Sequence, residues 1–357
     1  MKKKGHNVAI VLGCAVIAAS LLSGCGTNQG QVSKEKTEVS DVMQYNRNNV
    51  VMGTLTKAVI YSSGKDRTKE VMERLSQVEN DAISWRVEGS DIDKLNKSAG
   101  DAAGVDVSED TASYLEKTLE LSKFTDGAFD PTMGKISRLW DVDGDQPQVP
   151  QKQELEKLLE ESGYEKIQQD GTHVVLESGA SVDFGSVGKG IGCDEAKKLL
   201  EGDSDVCGAV ISVGGSILTY GTKPDGSDWK VAITNPDDDT DYVGILTLSG
   251  ENYVSTSGSY EKFFEQDGNT YHHIMNPSTG YPADSGLVSV SVLTDNGLLS
   301  DGLSTACFVL GKEKSLPVLE QYKADAIFID EDHKVSVTDG IKEQFELVRE
   351  GYELAEE

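Results

Sequence analysis

Residues 181–200 read SVDFGSVGKGIGCDEAKKLL. A short β-like run over 181–184 meets a glycine-rich turn and then a helix-forming run over 191–200. Gly185, Gly188 and Gly190 let the backbone come close to a partner, and the free amides of a helix start suit an anion. Lys189 adds a positive charge at the same point. The spacing fits neither a P-loop nor the dinucleotide fingerprint of a doubly wound sheet. The junction can serve phosphate, but through an architecture other than regular βαβ repetition.

The flanking sequence agrees. Upstream, alternation predicts a strand over 50–60, and Met72, Leu75, Val78 and Ala82 fall on one face of a helix over 69–83. Ser108, followed by Glu109 and Asp110, opens a helix running to 123, its acidic first turn favouring the positive end of the dipole. Prolines break the chain at 147–150 before an amphipathic helix over 151–161. Downstream, strands are expected over 172–176, 209–213, 229–233, 244–248, 253–257 and 288–293. Asp267-Gly268 joins 263–266 to 270–275 as a hairpin, a helix follows over 301–310, and 326–330 with 334–337 close the chain as a second hairpin. Helices and strands mix without regular alternation, which argues for an α+β fold in one large domain.

The N-terminus reads as an address. Lys2, Lys3 and Lys4 precede an apolar run over 8–22 that ends in Leu22-Ser23-Gly24-Cys25. The expectation is a signal peptide over 1–24, a lipid on Cys25, a flexible polar tether over 25–45 and a folded domain over 46–350. The membrane is then reached through the lipid, with the domain outside the cytoplasm. Formal charge is -28, and loss of the three leader lysines makes the mature chain more acidic still. Such a surface repels nucleic acid, and an anionic ligand needs a local cation or amide dipoles to bind. Of five cysteines, three remain after processing and lipidation, with neither a disulfide framework nor zinc-ligand spacing.

Several motifs carry chemistry. Residues 301–306 read DGLSTA; Asp301 and Thr305 are one helical turn apart and share a face. A carboxylate with a hydroxyl is what Mg2+ accepts when it keeps waters and leans on substrate phosphates, although capping by Asp301 explains the pair equally well. Residues 270–282 read TYHHIMNPSTGYP, and of the neighbours His272 and His273 one can face a given site as a base near neutral pH. VSTSGSY (254–260) and GAFDPTMG (127–134) have no self-evident mechanism.

In this order, with Met52-Gly53-Thr54, Trp85-Arg86, Leu95-Asn96 and ISVGGS (211–216) between them, the motifs closely resemble the ApbE family of FAD:protein FMN transferases. The resemblance covers roughly residues 50 to 312. It implies that Met52, Trp85, Ala128, Phe129, Asp130, Asp183, Lys189 and Met275 line a pocket for FAD, the substrate. Trp85 stands where the family has tyrosine and still offers a face for ring stacking. It also implies Mg2+, with Mn2+ able to substitute, on Ser186, Asp301 and Thr305, with Ser186 ligating through hydroxyl or carbonyl. A Ser or Thr hydroxyl of an exported or membrane redox protein then takes FMN, its proton passing to His273 or Asp301. Hydrolysis of FAD to FMN and AMP, and flavin binding without catalysis, stay open at this stage.

Overall fold

The computed structural model describes residues 41–355. Cys25, the leader and most of the tether lie outside them. Nine strands form the main sheet in the order in which the chain supplies them: β1 (Met43–Val51), β2 (Thr54–Ser62), β3 (Val206–Val213), β4 (Ser216–Gly221), β5 (Asn252–Gly258), β6 (Leu287–Thr294), β7 (Asp325–Asp330), β8 (Lys334–Val337) and β9 (Glu353–Leu354). Each neighbouring pair is antiparallel except β8 with β9. The sheet is therefore a meander, and everything else is an insertion between consecutive strands.

The insertions carry the helices α1 (Thr68–Val78), α2 (Asp91–Lys97), α3 (Glu109–Phe124), α4 (Gly134–Trp140), α5 (Lys152–Glu161), α6 (Gly188–Glu201), α7 (Gly297–Leu310) and α8 (Lys312–Tyr322). The first six lie between β2 and β3, and the last two between β6 and β7. A hairpin, Phe263–Gln266 with Asn269–His272, interrupts the β5 to β6 connection.

Period-two alternation in β3 places the layers. Ala209, Ile211 and Val213 pack under α1 and α6 against Val71, Leu75, Ala196 and Leu200. Val210, pointing the other way, joins Ile217, Ile327 and Ile329 against Trp229, Val231, Ile233 and Leu246 of a second sheet. Each fully buried aliphatic side chain contributes about 1.5–3 kcal/mol.

Five expectations change. The strand over 50–60 is a hairpin that bends at Met52 and Gly53, with φ of 55° and 67°. Glu79 Oε2 accepts from Met52 N at 2.7 Å and supports this left-handed residue. The helix over 69–83 ends as α at Val78 and continues as a π turn, Glu79–Ile83. Residues 181–184 form no strand, because their partner is a side-chain amide: Asn96 accepts from Val182 N at 2.6 Å and donates to Val182 O at 2.9 Å. The helix read over 301–310 starts at Gly297, where Asn296 accepts from Leu299 N, so Asp301 is an interior residue of it and does not cap it. The folded part begins at Met43, inside the stretch read as tether.

Candidate active site

Helices α6 and α7 meet at two glycines. A Cβ on Gly190 would overlap the Gly297 carbonyl, and one on Gly297 would overlap that of Gly190. Asp194 of α6 binds the α7 N-terminus, accepting from Gly297 N at 2.7 Å and Leu298 N at 2.9 Å. This docking brings Gly190 N to Asp301 Oδ2 at 2.9 Å. Asp301 is 2% exposed, and burial pushes its carboxyl above the usual range, with Lys189 the largest opposing influence.

VSTSGSY gains a meaning here. Ser255 Oγ bonds Ser300 Oγ at 2.7 Å and Ser216 Oγ at 3.0 Å. Ser257 Oγ bonds Ser304 Oγ at 2.8 Å and reaches Thr305 Oγ1 at 3.3 Å. The hydroxyls of β5 and α7 thus interlock and fix the face that carries Asp301. Thr305 Oγ1 makes only long bonds, the other to Asp301 O at 3.4 Å.

Glu261, for which the sequence reading had no role, follows VSTSGSY directly. The position one Cβ out from Gly215 lies 3.5 Å from Glu261 Oε1 and 3.8 Å from Lys189 Nζ, so carboxylate and ammonium flank a bare backbone. Burial pushes Glu261 up and Lys189 draws it down. The signal available in sequence was an acid one residue beyond a Gly-Ser-Tyr turn, which is too common to single out.

The two histidines separate cleanly. His272 donates from Nε2 to Ala283 O at 2.9 Å, accepts at Nδ1 from Ile274 N at 3.2 Å and lies edge-on to Phe308, so both nitrogens are committed. His273 donates from Nδ1 to Lys262 O at 3.3 Å, which assigns the tautomer and leaves Nε2 unprotonated. Burial, then Lys262 and Lys189, push its imidazole down to about 3, so it is neutral at pH 7.

A second cluster forms around Trp85. The Arg86 and Arg138 guanidiniums sit 4.3 Å and 4.2 Å from the indole centroid, so the ring carries two cations where the sequence reading expected a free face. Arg138 Nη1 lies 3.6 Å from Asp183 Oδ2. Residues 183–190 join the clusters, with Asp183 at the ring end, Ser186 half-buried in the intervening turn and Lys189 and Gly190 beside Asp301. Met52 packs against Gly192 of α6.

Ala128, Phe129, Asp130 and Met275 each hold a place in the packing or in the loop that carries them. Phe129, 1% exposed, is core beneath Gly302. Ala128 closes the preceding turn by donating to Thr125 O. Asp130 spends its carboxylate on Thr132 N, Thr132 Oγ1 and Tyr164 N at 2.7, 2.6 and 3.0 Å, which shapes the loop. Met275, 6% exposed, packs with Met133, Ile136, Trp140 and Leu155.

Known proteins resemble this chain in sequence and in fold. The chain is 31% identical over 330 residues to the FAD:protein FMN transferase of Treponema pallidum, covering 86% of this chain and 90% of that one. Its identity to the Salmonella typhimurium protein of the same name is 31% over 316 residues, covering 85% and 87%. The ApbE protein of Thermotoga maritima superposes with a TM-score of 0.78 at 30% identity, over 85% of this chain and 99% of that one. The flavin transferase ApbE of Vibrio cholerae gives 0.75 at 26%, over 85% and 99%. The profile of the ApbE family matches residues 52–328, which with the shared fold and the two clusters on residues 183–190 makes this chain a member of the ApbE family.

Proposed function

We propose that the chain transfers FMN from FAD to a Ser or Thr hydroxyl of an acceptor protein and releases AMP, with Mg2+ held by Asp301, Thr305 and Ser186. The observation that carries the reading is Asp301, a buried carboxylate fixed by a helix-start amide beside Lys189, at the end of a loop whose other end holds an aromatic ring. Among the described residues no three His, Cys, Asp or Glu side chains group as a metal cage. The donors are thus one carboxylate with hydroxyl or carbonyl oxygens, a set that suits a hard cation leaning on phosphates. Mg2+, or Mn2+ in its place, would neutralise charge on the FAD pyrophosphate.

The protein's own groups divide the remaining work. Lys189 draws the phosphates in, and the amides at the start of α6 receive them. The hydroxyl oxygen of the acceptor attacks the FMN phosphorus, the bond from that phosphorus to AMP breaks, and AMP leaves as an anion. The hydroxyl proton goes to Nε2 of His273, which its tautomer leaves free. In this division the unprotonated Nε2 of His273 takes the proton and the carboxylate of Asp301 stays with the cation. With Cys25 lipidated, the domain would work at the outer face of a membrane on exported redox proteins.

The test is to incubate the mature protein with FAD, Mg2+ and an exported acceptor, then follow a fluorescent covalent band on a denaturing gel together with AMP. The expected result is both products, their loss in EDTA and their return with Mg2+ or Mn2+. AMP without a band makes the protein a FAD pyrophosphatase, and FAD binding with neither product makes it a flavin carrier.

A further inference from the structure

We propose that Arg86 is a displaceable cover on the ring-binding face of Trp85, and that its guanidinium passes to the phosphates of the incoming dinucleotide as the ring takes its place. This deepens the reading above and rests on it. The two arginines on the indole are not equivalent. Both are exposed, but Arg138 is paired with Asp183, and Gly134 is what lets them meet: a Cβ there would lie 2.6 Å from Asp183 Cβ and 3.1 Å from Arg138 Nη1.

Charge pairing separates them further. The chain has six arginines among 33 basic and 61 acidic residues. Arg47, Arg67, Arg74, Arg138 and Arg349 each pair with a carboxylate. Arg86 has no carboxylate partner among the described residues, and its stack on Trp85 is what holds it. In so acidic a molecule, a guanidinium kept away from carboxylates and laid on an aromatic face is available to an anion. Burial, and behind it the charge of Arg86, hold Arg138 below the ordinary arginine range, so moving Arg86 away relieves its neighbour.

The exchange is energetically open. An exposed cation–π stack is worth about 0.5–1 kcal/mol, whereas a base stacked on an aromatic side chain is worth about 1–3 kcal/mol. A flavin or adenine ring therefore outcompetes Arg86 for Trp85, and Arg138 stays behind as the fixed backing.

The proposal predicts opposite responses to two ligands that share a ring. For Arg86→Met, titrated by fluorescence in EDTA so that no turnover intervenes, FAD should bind about tenfold more weakly, the loss of one charge-assisted phosphate contact. Riboflavin, with no phosphate, should bind equally well or more tightly, because its competitor for the indole is weaker. Arg86→Lys should recover most of the FAD loss. Equal weakening of both ligands, or unchanged FAD affinity, overturns the proposal, and neither outcome depends on whether the protein transfers FMN.

Discussion

The two ends of residues 183–190 are built by opposite means. At the Asp301 end the contacts are glycine on glycine, hydroxyl on hydroxyl and amide on carboxylate, all inside the packing of α6, α7 and β5. At the Trp85 end they are guanidiniums laid on a ring, both on exposed residues and only one paired with a carboxylate. The difference teaches which end tolerates movement. Phosphoryl chemistry needs reacting groups held to fractions of an ångström, and buried short contacts supply that. Ring recognition needs a face that can be uncovered, and weak stacking supplies that.

The sharpest way to break the comparison is Asp301→Ala. It removes the carboxylate assigned to the cation and leaves Gly190 N without its acceptor, so FMN transfer should fall about 10³-fold or more. FAD affinity, set partly at the distant ring end, should fall less. Transfer that persists in EDTA with this variant would retire the cation site.

His273→Ala comes next, with an expected loss of about 10²- to 10⁴-fold in rate and little change in FAD binding. His272→Gln is the control, since its role is to bridge Ala283 and Ile274. The pH profile adds a sign. An imidazole lowered from 6.5 to about 3 stays unprotonated as pH falls through 6.5, so His273 gives kcat/KM no inflection there. Stability behaves differently: the unfolded chain takes up the proton first, so this contribution is present above 6.5 and is lost as pH falls towards the folded value. A tenfold fall in kcat/KM per pH unit just below 6.5, absent in His273→Ala, would make the histidine an ordinary, solvated base.

How much of this was legible in the sequence follows from the range of the interactions. Helix α3 with its Ser108 cap, the strands under the core and the Asp267-Gly268 hairpin are local patterns, and they were readable. The i, i+4 pairing of Asp301 and Thr305 was readable for the same reason. Its alternative, capping, fell only because Asn296 caps α7 one turn earlier. The strand over 181–184 was misread because an extended apolar run looks alike whether its partner is another strand or the Asn96 amide, 86 positions away. Glu261 and the covering of Trp85 by Arg138 were out of reach, since both depend on segments far apart in the chain that meet only in the fold. Resemblance supplied the pocket residues but not their division between wall and support: Phe129 and Asp130 belong to the motif because they shape it.

Gly190→Ala tests the rigid end at smaller amplitude. The added methyl meets the Gly297 carbonyl and Asp301 Cβ, so α6 and α7 must separate by part of a methyl radius, at a cost of about 1–3 kcal/mol. For a domain of this size that is a fall in melting temperature of roughly 2–4 °C per kcal/mol. Gly202→Ala, at the far end of the same helix with nothing within 4 Å of the new methyl, should leave melting unchanged or slightly raised. Because Asp194 still grips the α7 N-terminus, the helices stay docked, and the damage falls on the alignment of Gly190 N with Asp301. Transfer should therefore drop more than stability alone explains, while riboflavin binding at Trp85 stays within a factor of two or so. If riboflavin binding falls in step with transfer, the two ends are one rigid unit and the contrast between them is lost.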